Sequence, residues 1–357
     1  MSSYIEYNNE IAFHPGYYIN EIVEASGLTQ KDFANKLGTT PKNLSLLIRG
    51  EQSLSIDMAN KLSRMLGTTI KFWLNLQQLY DEQIAKISFA NELEREKEIF
   101  KLIDYKYFCN NFGLPNMPRK VDEQIKCLRE FLSIFSLSVL EQPDFMVNFR
   151  SYSKKMTKSN IVNANTMVQI AINKAIEVDA PKFDKKKFEK AISFARTQTK
   201  NHVGFLPIIK DSFKEAGVIL VVLPNLKGSG VNGATKKVDG KVLLMVNDRR
   251  QYADTFWFTL FHEIGHIMNN DFGITFNDEV EDEADLYAQD ILIPREKYLN
   301  FIENNQFFNE DIIIEFAESI DQDPGIVFGR LQKDGKISYK EMNLAKKLRH
   351  KYKVVFY

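Results

Sequence analysis

The stretch FWFTLFHEIGHIM, residues 256–268, decides how the second half of the chain is read. It lies in a segment with a helical pattern, from Asp254 to about Met268, and it contains His262-Glu263-Ile264-Gly265-His266. Residues four apart on a helix share a face, so both imidazoles can point at one ion. Glu263 follows the first histidine and stands beside the open position of such an ion, where it can take a proton from water. Zinc at this place would lower the pKa of its water toward about 7 and polarise a scissile carbonyl. The plainer alternative is a pair of satisfied helix histidines.

Two histidines do not complete a catalytic zinc site, which takes a third protein ligand. The acidic stretch EVEDEADLYAQDILIP (279–294) reads as a helix stopped by Pro294, and it offers Glu279, Glu281 and Glu283. Ala284, Tyr287, Ala288, Ile291 and Leu292 form its inward stripe. Glu281 lies one turn before Ala284 on that stripe, whereas Glu283 points away, so Glu281 is the expected ligand. Asp285 is four residues after Glu281 on the same face, which suits a carboxylate that holds a histidine's other N–H. A buried Asp without a partner is costly, so its place on an apolar stripe needs a reason. The alternative is a solvated acidic helix.

Upstream of the histidines the texture is that of strands. VILVVLP (218–224) and KVLLMVN (241–247) are apolar, β-branched runs of strand length, and GSGVNGATKK between them reads as a loop. Such strands could offer an edge to an extended peptide. Gly233 in the loop fits either a close backbone approach or an ordinary β-turn. Downstream, one more helix is expected over Glu310 to Ser319, then a turn at Asp323-Pro324-Gly325 and a Lys-rich end. Strands and helices do not alternate regularly, so this half reads as α+β.

The first quarter of the chain reads as short helices. One runs from about Tyr17 to Ala25. Thr29 caps a second with Asp32 in a capping-box position, and Gly38 ends it. Thr40 caps a third that starts on Pro41, where a missing N–H costs nothing, and Gly50 closes it. Ser55 caps a fourth that ends at Gly67. A fifth begins near Ile70 and continues as a charged helix toward residue 110. GLPNMPRK (113–120) reads as a linker. Within residues 28–50 two helices flank a short turn with Gly38, the build of a helix-turn-helix. Lys42, Asn43, Ser45 and Arg49 lie on the outer face of its second helix, able to reach base edges and phosphates. Gln30 and Thr40 stand at helix N-termini, where N–H groups favour a phosphate. A small helical bundle with no ligand is the alternative.

Two resemblances sharpen these readings. HPGYYINEIVEASGLTQKDFANKLG…LIRGEQSLSIDMANKLSRMLGTTIKFWLNLQQLYD resembles the Cro/C1 class of helix-turn-helix proteins, and more narrowly the HigA antitoxin family. The resemblance implies a homodimer on a palindromic double-stranded operator, often the protein's own promoter, and a cognate toxin. Leu46 sits on the reading face where many members have a polar residue, and Pro41 replaces a possible donor. His-Glu-Ile-Gly-His, with Glu281-x-x-Ala284-Asp285-x-Tyr287-Ala288 and Leu292-x-Pro294, resembles the ImmA/IrrE metallopeptidase family, as do AGVILVVLPNL, VNGAT and DTFWFTLFHEIGH upstream. It implies a gluzincin-like α+β core, one zinc ion held by His262, His266 and Glu281, Glu263 as general base, and a protein substrate, commonly a repressor. Many members carry Asn where Asp285 stands and another His near Asn270.

The expected fold is therefore mainly α with an α+β part. A five-helix helix-turn-helix domain spans 14–83, a helical connector 84–183, a peptidase domain 184–300 and a C-terminal helical extension 301–357. The expected function is an antitoxin-type autorepressor whose second half hydrolyses a specific protein, either itself, a sister repressor or the toxin. The rival is a repressor whose zinc fold only senses or docks. A stress-activated protease anchored on DNA ranks below both.

Composition fits these readings. The chain has 357 residues, suggesting two or three domains, and 44% hydrophobic with 26% charged residues excludes a collagen-like or disordered chain. Its 47 basic and 47 acidic residues argue against a polybasic coat but not against local patches. The first residues have no basic start before an apolar run, no stretch is apolar enough to span a membrane, and two cysteines make no disulfide framework, so the expected location is cytoplasmic. His202 and His350 lie outside both motifs and read as surface or packed residues. His14 is expected to pack or cap, and Trp73 and Trp257 to lie in cores. Lys154, Lys155 and Lys158 read as a solvated face.

Overall fold

The computed structural model describes residues 4–7, 10–143, 156–248, 252–276 and 282–352. The chain divides into two compact units, residues 1–95 and 96–357.

The first unit opens with a hairpin, β1 (Tyr4–Tyr7) against β2 (Glu10–Phe13), which the sequence reading does not anticipate. Helices α1 (Pro15–Ala25), α2 (Gln30–Leu37), α3 (Pro41–Ile48) and α4 (Ile56–Leu66) follow, and α5 (Ile70–Phe100) starts in this unit. The expected caps are made. Thr29, Thr40 and Ser55 each accept a hydrogen bond from the backbone N–H three residues on. Gly38 and Gly67 end α2 and α4 in the left-handed conformation. His14 caps α1 through Nδ1, which accepts from Gly16 N at 2.9 Å. Gly16 is needed for close packing, because a Cβ there would lie 1.9 Å from the Leu47 carbonyl oxygen in α3. Ile19, Phe33, Ala34, Leu37, Leu44, Leu47, Leu62 and Trp73 form the core.

The second unit holds α6 (Tyr105–Phe112), α7 (Val121–Leu132), a short 3-10 turn (Leu137–Glu141), α8 (Lys158–Ile176), α9 (Lys185–Thr197) and α10 (Phe205–Glu215). Strands β3 (Val218–Leu223), β4 (Val231–Val238) and β5 (Lys241–Asn247) come next, then α11 (Ala253–Met268), β6 (Ile274–Phe276) and α12 (Asp282–Leu292). Helices α13 (Arg295–Asn304), α14 (Glu310–Ser319), α15 (Pro324–Lys333) and α16 (Met342–Leu348) complete the unit. The four-stranded sheet has the order β3-β5-β4-β6, with β3 and β5 parallel and the other pairs antiparallel. Val218, Leu220 and Val222 of β3 and Val242, Leu244 and Val246 of β5 join the core built on α11. The alternate residues Ile219, Val221, Leu243 and Met245 are buried as well, and α8 packs on these strands. Both faces of the two strands are covered, which is why their sequences read as unbroken apolar runs.

Several boundaries differ from expectation. The stretch GSGVNGATKK is no loop: from Val231 it is strand β4, paired to both β5 and β6. The charged helix from Ile70 stops at Phe100, and α6 is separate. The helices expected as a connector, 84–183, do not stand apart, since all beyond residue 95 lie in the second unit and α8 is almost wholly buried on the sheet. The expected extension 301–357 contributes Ile313, Phe316, Ile326, Phe328, Leu331, Leu348 and Tyr352 to the main core. It holds α15 and α16 besides the expected α14. The turn at Asp323-Pro324-Gly325 is the capped start of α15. Among the described residues no helix is long and apolar enough to cross a membrane.

Candidate metal centre and recognition helix

Helix α11 is anchored at both ends. Asp254 in its first turn, favoured there by the helix dipole, takes a two-pronged hydrogen bond from Arg349 (2.9 and 2.7 Å). At the other end Asn270 turns the chain with φ of 58°, and Asp271 N donates back to the His266 carbonyl at 2.9 Å. Between these ends His262 and His266 face the same point, with their Nε2 atoms 3.1 Å apart and ring planes at 73°. Asp285 Oδ1 lies 2.9 Å from His262 Nδ1, and Asp271 Oδ2 lies 2.9 Å from His266 Nδ1.

These distances fix the protons. An ionised carboxylate only accepts, so each Nδ1 carries hydrogen and each Nε2 of a neutral imidazole keeps a lone pair. With both rings neutral, two lone pairs 3.1 Å apart repel, and either a shared proton or a metal cation between them relieves this. The donor set therefore fits a divalent ion. Asp285 is itself held in place, for Lys333 of α15 donates to its Oδ2 at 2.6 Å. Burial pushes the Asp285 carboxyl up, but the hydrogen bonds from His262 and Lys333 and the Lys333 charge outweigh it and bring it to about 2. Asp285 is an anion at any ordinary pH.

Glu263 is fully buried beside the histidines. Its carboxyl lies against the backbone of Gly233 in β4, where a Cβ would come within 2.5 Å of Glu263 Cδ and Oε1. The glycine therefore serves as a cradle for the carboxylate, not as a turn residue. On α12, Ala284, Ala288 and Leu292 are buried, Tyr287 is half-buried and Glu283 is exposed. Gly265 lets α12 approach, since its Cβ would meet Tyr287 and the Ala284 backbone at 3.2–3.3 Å. Glu281, the expected third ligand, and Glu279 lie outside the described residues. Asp271 and Lys333 are the residues the motif reading does not place, while Gly233 takes the close-approach role of the two the sequence allows it. Asp271 depends on the turn at Asn270, and Lys333 comes from a helix far along the chain.

In the first unit α3 presents Lys42 and Arg49 exposed and Asn43 and Ser45 half-buried, and Gln30 is exposed at the start of α2. Thr40 is occupied as the cap of α3, accepting from Asn43 N at 3.1 Å. Asn43 Nδ2 donates to Thr39 Oγ1. Arg49 donates to Ser45 Oγ and, through Nε and Nη2, to both carboxylate oxygens of Glu51 (2.9 and 3.1 Å). Hydrogen bonding to Glu51 raises the Arg49 pKa and lowers that of Glu51. Lys42, Asn43 and Leu46 line an open hollow of about 520 Å³ with Gly38, Thr39, Thr40 and Lys61. Lys61, on α4, is a cation on this rim that the motif does not include. Lys154 and Lys155 lie outside the described residues.

Comparison with known proteins agrees with both halves. Residues 19–73 match the helix-turn-helix family, and residues 219–322 match the IrrE N-terminal-like domain family of peptidases. Antitoxin HigA-1 of Vibrio cholerae is 34% identical over 80 residues, 22% of this chain and 75% of that protein. The uncharacterized HTH-type transcriptional regulator YddM of Escherichia coli is 33% identical over 66 residues, 18% of this chain and 70% of that protein. A Pseudomonas aeruginosa protein solved in complex with its operator DNA is 26% identical, with a TM-score of 0.22, over 24% of this chain and 93% of that one. On these matches the chain belongs, through its N-terminal domain, to the helix-turn-helix family that includes HigA-type antitoxins, and through residues 219–322 it carries a peptidase-family domain of the IrrE N-terminal-like kind.

Proposed function

We propose that the chain is an operator-binding, autoregulatory repressor of the antitoxin type whose second unit is a zinc-dependent endopeptidase acting on a specific protein. The observation that carries the catalytic half is the pair of imidazole Nε2 atoms 3.1 Å apart, each ring fixed by a carboxylate at its Nδ1. His262 and His266 would hold the ion, with Glu281 as third ligand. When bound, zinc acidifies a water and draws electron density from the scissile carbonyl. Asp285 and Asp271 keep each imidazole in the Nδ1–H tautomer and aim both lone pairs at one point. Glu263 accepts the water's proton on its carboxylate and returns it to the leaving amine nitrogen, so both bond breaking and product release are served by one group. Its burial against Gly233 fixes that carboxylate beside the histidine pair.

For the first unit, Lys42 and Arg49 supply phosphate contacts and Asn43 and Ser45 face base edges, in a dimer that reads two half-sites. The relatives named as an antitoxin and a transcriptional regulator support this reading. The protein substrate would be the chain itself, a sister repressor or a cognate toxin.

The test is proteomic. New protein N-termini are compared in cells expressing the wild type and Glu263→Gln. The variant should keep its zinc and its operator affinity and lose the cleavage products, by about 10²- to 10⁴-fold in rate. Unchanged cleavage by Glu263→Gln would refute the role of this residue. Cleavage in neither strain would favour a zinc fold that only senses or docks.

A further inference from the structure

The fold brings together two histidines that the sequence keeps far apart. The rings of His202, after α9, and His350, after α16, stack with centroids 3.8 Å apart and planes at 26°. Asp323, the cap of α15, completes the group: its Oδ2 lies 3.0 Å from His202 Nε2. One donor atom from each of the three residues lies within 4.8 Å of the other two.

We propose that His202, Asp323 and His350 form a second divalent-metal site, selective for a borderline transition ion such as Zn²⁺, that ties the C-terminal segment 349–352 to the turn after α9 and to the start of α15. The 3.0 Å between His202 Nε2 and Asp323 Oδ2 is a hydrogen-bond distance, and an ion would replace the shared proton and hold the two donors about 3.4 Å apart in tetrahedral geometry. Two imidazoles with one carboxylate favour zinc, nickel or copper over magnesium or calcium. Asp323 is only 2% exposed. Its Oδ1 accepts from Gly325 N at 2.8 Å, which leaves Oδ2 facing the imidazole. A carboxylate this buried needs a compensating positive charge or hydrogen-bond donors. The His350 side chain is exposed, and its ring would turn out of the stack with His202 for both to face one ion.

The segment that carries His350 is sewn onto α11. The Ala253 N–H donates to the His350 carbonyl at 2.9 Å, Tyr252 bridges Lys351, and Trp257 Nε1 donates to Tyr352 Oη at 3.1 Å. These contacts lie in the first turns of α11, and at about 1.5 Å per residue His262 is roughly 8–14 Å further along. The two sites are therefore separate, and the second touches α11 only through the segment that carries His350.

Metal-free full-length chain is loaded with Zn²⁺ alone, desalted, and its zinc counted by mass spectrometry, for the wild type, His350→Ala and His262→Ala. The proposal expects two ions in the wild type and one in each variant, with the ion kept by His262→Ala protecting the C-terminus from carboxypeptidase. Asp323→Asn, which can still cap α15, should weaken that ion about tenfold or more. Equal zinc in His350→Ala and wild type, or none in His262→Ala, overturns the proposal. If the histidine pair of α11 binds no metal, the pattern is different: one ion in the wild type, kept by His262→Ala and lost by His350→Ala.

Discussion

Asp271 stands to His266 as Asp285 stands to His262, and the two carboxylates set the direction of both lone pairs. Asp271 is half exposed, so its removal should not harm the fold. Asp271→Ala is expected to weaken zinc about 10- to 100-fold, as loss of such an orienting group does elsewhere. Competition with a chelator measures it, and an unchanged affinity would contradict the assignment. Gly233→Ala tests the cradle under Glu263. The added methyl meets the Glu263 carboxyl at 2.5 Å and must displace it, so proteolysis should fall at least about tenfold while zinc content holds. Overpacking of this kind also costs about 1–3 kcal/mol of stability, readable as a lower unfolding midpoint. Asp285 was legible because helical spacing places it on the inward stripe of α12. Asp271 was not, because its position depends on one left-handed residue, Asn270, that no periodicity reveals.

The capped helices of the first unit were legible down to single residues, since Thr29, Thr40 and Ser55 act locally on their own helices. Strand β4 was not. Its glycines and polar residues mimic a turn, and only its pairing with β5 and β6 makes it a strand. Helices α13, α15 and α16 are short and gain their stability from packing in the main core, which composition alone does not show. On α3 the structure adds a restraint to the motif: Glu51 holds the Arg49 guanidinium with two hydrogen bonds. Glu51 competes with a phosphate for the Arg49 guanidinium, three of whose five N–H groups are already used. Glu51→Gln should therefore raise operator affinity about two- to fivefold, the scale of an exposed ion pair, and Lys42→Ala should lower it. A gel-shift titration at fixed salt decides; no gain for Glu51→Gln would mean that Arg49 stays off the DNA.

Each of the two compact units contains one family match, and the peptidase-family match runs past the expected end of its domain to residue 322. The helices taken from sequence as connector and extension belong to the second unit, because α8 covers one face of the sheet while α14 and α15 pack in the core with α11. What the whole second unit does is to hold α11 rigid from the sheet, α12, α15 and the C-terminal segment, so that two imidazoles meet at one point. The most direct measurement of that claim is anomalous diffraction at the zinc edge from crystals of the full-length chain grown with zinc. The account predicts a peak about 2.0–2.1 Å from both His262 Nε2 and His266 Nε2 with Glu281 completing the ligand set. Well-ordered imidazoles with no peak between them, in zinc-saturated crystals, would contradict it.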